Sequence, residues 1–151
     1  MTGDQRCNTG IRRNTGIKDY LLKVLKVLKV LLADDEPGLR VLVKRFLESR
    51  FEIVEAASGK EALALVPDAT KIDLLITDEM MPEMEGHELS RRLRQQNPDL
   101  RVLYLTGHSD HLFDKKDRLW DREAYLDKPF TQKSLNEAVA LLMTGRLTFE
   151  A

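Results

Sequence analysis

The chain contains one cysteine, Cys7, in 151 residues. A single cysteine cannot form an internal disulfide, which excludes the small disulfide-stapled classes and agrees with a reducing cytoplasm. Long apolar runs are also lacking: the longest covers six residues, 138–143, whereas a membrane-spanning helix needs roughly 20. The beginning of the chain has no apolar core of a secretory signal. We therefore expect a cytoplasmic protein without a membrane segment.

A strong overall charge is missing as well, since the formal net charge is -1. The charge is nevertheless uneven. Residues 1–30 carry seven Lys and Arg against two Asp, while the remainder carries 17 against 23 acidic residues. An acidic main part argues against nucleic acid as a direct partner. The length suits one domain with an ample core.

The first part of the chain is repetitive. Asn-Thr-Gly-Ile occurs at 8–11 and 14–17, and Lys-Val-Leu occurs at 23–25, 26–28 and 29–31. The earlier Lys-Val-Leu copies either extend the first strand or form a short basic helix, which would lie on a membrane surface or be a gene-start artefact. We interpret 1–22 as a basic leader that is disordered or left from cloning, 23–145 as the folded domain, and 146–151 as a short tail. We expect no DNA-binding output unit after Met143.

Short apolar runs alternate with helical patterns along the rest of the chain. Strands are predicted at 30–33, 51–55, 74–77, 101–105 and 124–126, and helices after Pro37, after Ser58 and over 87–96, 109–120 and 131–142. Five strands alternating with five helices imply right-handed crossovers and a parallel sheet covered on both faces.

Two helices have more specific signals. Ser58 followed by Glu61 is a capping box for the second helix. In the third helix, Leu89 and Leu93 are predicted to face inward, and the arginines outward: Arg91, Arg92 and Arg94. The first helix has apolar residues at helical spacing, at positions 39, 41, 42, 46 and 47.

Polar residues follow four of the predicted strands. Asp34 and Asp35 follow the first, Asp78 the third, Thr106 the fourth and Lys128 the fifth. Because the carboxyl ends of parallel strands meet at one edge of the sheet, we expect these side chains to lie together. Carboxylates bind a hard divalent cation such as Mg²⁺, and a hydroxyl and an ammonium bind phosphate oxygens.

In their order and approximate spacing, these motifs resemble the receiver domain of two-component response regulators, from Lys29 to Met143. The resemblance implies an α/β, flavodoxin-like (βα)5 fold, a doubly wound five-stranded parallel sheet with strand order 2-1-3-4-5. Strands 1 and 3 would then be adjacent, with Asp34, Asp35 and Asp78 side by side.

The resemblance also implies a role for each residue. Asp78 would accept a phosphoryl group. Asp35 would be the principal Mg²⁺ ligand, and Asp34 a ligand through water or a support for the others. The backbone carbonyl of Met80 would complete the metal site. One of the paired aspartates would alternatively, or in addition, cap the first helix.

Thr106 and Lys128 would bind the phosphoryl oxygens, and Gly107 would allow the backbone to approach them. The Lys128–Pro129 peptide bond is expected to be cis. On phosphorylation, Thr106 would move toward the phosphate and Tyr125 would rotate inward, changing the surface formed by 109–145. Met80 and His108 would flank the phosphoryl group and influence its lifetime.

The same resemblance implies the partners, and an alternative function as a phosphatase can be weighed against it. The donor would be a sensor histidine kinase or a histidine phosphotransfer protein, and the reader of 109–145 another protein or a second copy of the chain. A dehalogenase-type phosphatase would need an acid two residues after Asp78, where Met80 stands. We therefore expect a signalling domain that catalyses only its own phosphorylation and slow dephosphorylation. The sequence does not separate a stand-alone protein from a fragment of a hybrid kinase.

One feature departs from the resemblance, and the histidines add nothing to it. Asp121 and Arg122 occupy the places where receivers usually have Gly-Ala before the fifth strand. The histidines, His87, His108 and His111, are interpreted as surface residues and not as a ligand set.

Overall fold

The computed structural model describes residues 27–107 and 122–144. Its strands are β1 (Leu28–Ala33), β2 (Phe51–Ala56), β3 (Leu74–Asp78), β4 (Arg101–Thr106) and β5 (Glu123–Asp127). The helices are α1 (Pro37–Leu47), α2 (Gly59–Leu65), α3 (Gly86–Gln96) and α4 (Gln132–Thr144), with a 3-10 turn at Ala69–Lys71. The predicted helix over 109–120, the leader 1–22 and the tail 146–151 lie outside the described residues.

All strands of the sheet are parallel, in the order β2-β1-β3-β4-β5. This confirms the predicted fold and strand order. β1 pairs with β3 through to Ala33 and Thr77, so the residues that follow, Asp34 and Asp78, leave adjacent strands at the same edge. In the described part of the chain, no helix is long and apolar enough to cross a membrane.

The sheet has an apolar layer on each face because successive strand residues point to opposite sides. On one face, Leu31 and Leu75 pack against α2 and α3 through residues such as Leu89. On the other face, Leu32 and Ile76 pack, with their neighbours, against α1 and α4. The doubly wound arrangement thus leaves the strand ends open for polar side chains.

The starts of the helices follow local sequence signals. α1 begins with Pro37 in its first turn, where the missing N–H breaks no helical hydrogen bond. The Ser58 hydroxyl accepts the Glu61 N–H at 3.0 Å, which confirms the cap of α2. The Glu61 carboxylate accepts the N–H of Ala57 at 3.3 Å, one residue earlier than in a regular capping box.

Arg94 contradicts its predicted outward orientation. Its side chain is buried with a total exposure of 6%, and it donates to the Leu100 carbonyl at 2.7 and 3.1 Å. Arg91 and Arg92 are exposed as predicted and pair with Glu88.

Not every apolar residue of the helical patterns is buried. Val41 and Leu42 in α1 are exposed, although both belong to the predicted pattern. α1 packs on the sheet through Val43 and Leu47. At 100° per residue, Val41 lies about 200° from Val43, on the far side of the helix.

Candidate functional site

Three aspartates meet where β1 and β3 end. Asp34 is fully buried, Asp78 is almost fully buried, and Asp35 is exposed. Each offers one carboxylate oxygen, and these oxygens lie within 4.8 Å of one another. The predicted juxtaposition of the three acids is therefore present in the fold.

Lys128 reaches the same place from the end of β5. Its N–H donates to the Thr106 carbonyl at 2.9 Å, and the Lys128–Pro129 bond is cis, as expected. The ammonium lies 3.3 Å from Asp34 Oδ2 and 3.2 Å from Asp78 Oδ2. Glu36 is a further carboxylate at 3.6 Å. A single ammonium group thus faces several acids.

Burial dominates the electrostatics of this cluster. It raises the pKa of Asp34 to about 6, with the charge of Asp78 adding and the Glu36 N–H and Lys128 opposing. Burial also raises the pKa of Asp78; Lys128 opposes this and Asp35 adds to it. Burial by itself would lower the pKa of Lys128, but the carboxylates of Asp34 and Asp78 more than offset it and raise the pKa. Counted among the described residues, the carboxylates of Asp34, Asp35, Asp78 and Glu36 face the one ammonium of Lys128, so negative charge is in excess.

Asp34 also takes part in the start of α1. Its Oδ1 accepts the N–H of Glu36 at 2.8 Å, and its carbonyl accepts Arg40 Nη1 at 2.6 Å. The residue that precedes the helix is Glu36, whose side chain makes no capping bond. Asp34 is therefore held rigidly from its own strand and from α1.

The loop after β3 returns closely to Asp78. The Met80 N–H donates to Asp78 Oδ1 at 3.1 Å, while the Met80 side chain is largely exposed. At Gly86, a Cβ atom would lie 2.3 Å from the Asp78 carbonyl oxygen. Only glycine allows that approach, since other residues would force the backbone apart.

Thr106 and Tyr125 lie on neighbouring strands. Thr106 is fully buried and is the register partner of Asp127, and Tyr125 is the partner of Tyr104. Side chains two residues apart share a face, so Thr106 and Tyr125 lie on the same face of the sheet. Tyr125 is 41% exposed. Among the described residues, no atom lies within 4 Å of where a Cβ at Gly107 would be.

Sequence reasoning missed Glu79 and misplaced His87. Glu79 is fully buried; its Oε2 accepts the His87 N–H at 3.1 Å, and its Oε1 lies 2.5 Å from His87 Nδ1. Burial raises the pKa of Glu79, and the hydrogen bond from His87 opposes this. Glu85 adds a carboxylate 3.4 Å from His87 Nδ1. His87 is thus held by Glu79 and is not a free surface residue, while His108 and His111 lie outside the described residues.

The sequence signal for this pair is weak. An acid directly after a strand and a histidine just inside the next helix allow a contact across the loop, but only the packing of α3 against the end of β3 brings them together.

Sequence comparisons agree with this geometry. A profile of the response regulator receiver domain matches residues 30–140. The sensor kinase CckA of Brucella abortus (strain 2308) is 36% identical over 112 residues, which cover 73% of this chain and 12% of CckA. The transcriptional regulatory protein PhoP of alkaline phosphatase synthesis in Bacillus subtilis (strain 168) is 34% identical over 117 residues, covering 76% of this chain and 48% of PhoP. The chain spans less than half the length of either relative.

Solved structures show the same similarity. A response regulator receiver domain protein from Clostridium thermocellum superposes with a TM-score of 0.68 at 30% identity, covering 79% of this chain and 96% of that one. The response regulator TrrA from Thermotoga maritima, in complex with Mg²⁺-BeF, superposes with a TM-score of 0.66 at 34% identity, covering 77% and 99%. The chain belongs to the response regulator receiver domain family, whose members are the phosphoacceptor domains of two-component signalling.

Proposed function

We propose that Asp78 accepts a phosphoryl group from the phosphohistidine of a sensor kinase or phosphotransfer protein. The observation that carries this proposal is the position of its carboxylate. It lies at the end of β3, 3.2 Å from the Lys128 ammonium and grouped with the carboxylates of Asp34 and Asp35. A buried nucleophile beside a fixed cation is suited to transfer of an anionic group.

The transfer exchanges one phosphorus bond for another. An oxygen of Asp78 attacks the phosphorus, the bond from phosphorus to the histidine nitrogen breaks, and its electron pair stays on the imidazole, which takes up a proton. Lys128 stabilises charge on the phosphoryl oxygens. Thr106 donates its hydroxyl to one of them, and Gly107, which has no side chain, allows the backbone to approach the phosphoryl group.

The excess of carboxylates fits a hard cation, and we assign Mg²⁺ to it. Asp35 would be the principal ligand, Asp78 would share the ion, and Asp34 would bind through water or support the others, with the Met80 carbonyl completing the set. All of these are oxygen donors, as Mg²⁺ requires. When bound, Mg²⁺ neutralises charge on the phosphoryl group.

The consequence of phosphorylation is a signal and not turnover of a substrate. Met80 stands where a phosphatase of the dehalogenase type would have its second acid, so the site lacks an efficient base. We propose that the chain acts in the cytoplasm and is read by a protein partner or a second copy through 109–145, without direct binding of nucleic acid or a membrane. Residues 122–144 of that surface are described here.

Intact mass spectrometry tests the assignment. The protein is incubated with acetyl phosphate, with Mg²⁺ or with a chelator. We expect a gain of one phosphoryl group that depends on Mg²⁺ and is lost in Asp78→Asn. Asp127→Asn is the matched control, because Asp127 is an exposed aspartate at the end of β5, and it should be modified like the wild type. An adduct on Asp78→Asn in the presence of Mg²⁺ would contradict the assignment.

A further inference from the structure

Glu79 closes the base of the loop between β3 and α3. Its carbonyl accepts the Gly86 N–H at 2.9 Å. Its carboxylate accepts the His87 N–H at 3.1 Å and contacts His87 Nδ1 at 2.5 Å. Three contacts therefore join the first residue after β3 to the first two residues of α3, and the side chain provides two of them.

Burial argues that these contacts are the reason for a carboxylate at this position. Glu79 is fully buried, next to a strand whose residues are also all buried. An ionised group in such a place is costly unless it is paired and hydrogen-bonded, and an apolar residue of similar length would avoid that cost. Compared with an apolar residue, the Glu79 side chain adds the hydrogen bonds to α3.

The rest of the loop is shaped by a local turn and held by apolar packing. Met84 N–H donates to the Pro82 carbonyl at 2.8 Å, and Glu83 has a positive φ of 69°. Met81 is buried in the same core as Leu89 of α3, so the Glu79–His87 contacts add a polar link to this apolar one. Met80 lies directly beside Glu79, and its N–H is bonded to Asp78 Oδ1. A movement of Glu79 would therefore displace Met80 relative to Asp78.

We propose that the Glu79–His87 pair is a positioning element for the cation site: it fixes the β3–α3 loop so that the Met80 carbonyl stays beside Asp78. The inference rests on the proposed function, in which that carbonyl and Asp78 bind the cation. Glu79 and His87 do not contact the ion; they act through the backbone of Met80.

Calorimetric titration with Mg²⁺ tests this role. Glu79→Met keeps the length and removes both side-chain bonds, and we expect its Kd to rise about 10-fold, the lower end for groups that support metal ligands. Glu79→Gln keeps an acceptor for the His87 N–H and a donor for Nδ1, so it should bind Mg²⁺ like the wild type. Glu79→Met leaves His87 without its acceptor and should lower the melting temperature, as removal of one partner of a buried pair does. The titration is therefore run at a temperature at which thermal unfolding in chelator shows each variant to be folded.

A second pair of variants addresses the other partner. His87→Leu should raise the Kd as Glu79→Met does, and His87→Asn, whose amide nitrogen can replace Nδ1 as a donor, should restore it. The His87 side chain is 25% exposed, so these changes are tolerated even where a change at Glu79 prevents folding. Glu123→Gln is the control for lost stability, because Glu123 is a buried carboxylate at the opposite end of the sheet; its Kd should stay unchanged.

Wild-type Mg²⁺ affinity in both Glu79→Met and His87→Leu would overturn the inference, as would equal weakening in Glu79→Met and Glu79→Gln. Asp35→Ala, titrated alongside, separates this from the proposed function. If Asp35→Ala binds Mg²⁺ like the wild type, the assignment of the cation to the aspartates is wrong, whatever the Glu79 variants show.

Discussion

The two ends of the sheet both bury charged groups, but they balance the charge differently. At the carboxyl end, Lys128 faces Asp34, Asp78 and Glu36. At the amino end, Arg94 lies 3.4 Å from Glu123, and Glu123 accepts the Tyr104 hydroxyl at 2.7 Å. Among the described residues, the first group has more carboxylates than cations, whereas in the second Arg94 faces Glu123.

This difference distinguishes a site from a structural contact. In the amino-terminal group the charges of Arg94 and Glu123 face each other, and Arg94 is further bonded to the Leu100 carbonyl and, at 3.4 Å, to that of Arg122. The carboxyl-terminal group becomes balanced only when a cation binds, which is the condition for a ligand-dependent site.

The largest effect should come from breaking the balanced group. Arg94→Met removes the guanidinium that lies 3.4 Å from the buried carboxylate of Glu123, and we expect the free energy of unfolding to fall by about 3–5 kcal/mol. Urea denaturation monitored by circular dichroism measures it.

Arg91→Met provides the control on the same helix. Arg91 is exposed and pairs with Glu88, so its replacement should change the free energy of unfolding by less than about 1 kcal/mol. Equal losses in the two variants would show that burial of Arg94 contributes nothing, and the comparison between the two ends would fail.

The unbalanced group should make metal-free stability depend on pH. The pKa of Asp34 rises from 3.8 to about 6 on folding. Because the folded pKa is the higher one, the folded state holds the proton more tightly, and its contribution to stability is full below pH 4 and lost as pH rises through 6. At about 1.4 kcal/mol per pKa unit, Asp34 accounts for a loss of about 3 kcal/mol.

The measurement is the free energy of unfolding in chelator between pH 4 and pH 7. Asp34→Asn removes the titrating group and should flatten that dependence, and saturating Mg²⁺ should oppose the loss at pH 7. A wild-type dependence that Asp34→Asn leaves unchanged would contradict the raised pKa of the buried Asp34 carboxyl.

A smaller effect on stability is expected at the exposed acid. Asp35→Ala removes one carboxylate of the unbalanced group, so the metal-free melting temperature should stay the same or rise. The change in free energy should be within about 0.5 kcal/mol, as for other surface positions. The same variant should bind Mg²⁺ more weakly by calorimetry. A marked fall in the metal-free melting temperature would show that Asp35 has a structural role instead.

The sequence predicted the carboxyl-terminal group better than the amino-terminal one, for a physical reason. Asp34, Asp78 and Lys128 each follow an apolar strand, and that local signal is sufficient once the strands are parallel. The pairing of Arg94 with Glu123 joins residues 29 positions apart, and nothing near Arg94 distinguishes it from the exposed Arg91 and Arg92.

Glu79 was missed for a related reason. Its neighbours predicted a loop residue beside Asp78, and its burial becomes visible only when α3 is placed against the end of β3.

In α1, the apolar periodicity predicted the helix correctly but did not predict which residues are buried. Val41 is exposed because Val43, on the opposite side of the helix, packs against the sheet. The sequence predicted that the helices form, but it did not determine which of their residues pack against the sheet.

The smallest expected effect is a shift in the populations of two surfaces. With a phosphate on Asp78, the Thr106 hydroxyl gains a charge-assisted hydrogen bond by moving toward it, and Tyr125, on the same face of the neighbouring strand, rotates into the vacated space. Tyr125 is 41% exposed. Amide NMR with beryllofluoride as the phosphoryl mimic should show shift changes at Tyr125 and along α4 in the wild type, and these should be reduced in Thr106→Ala.

Because the phosphate shifts the equilibrium only by its differential interaction with the two arrangements, removing the hydroxyl should leave beryllofluoride bound while Tyr125 stays outward. Shift changes confined to the residues around Asp78 in the wild type would refute the switch and leave the phosphoacceptor chemistry intact.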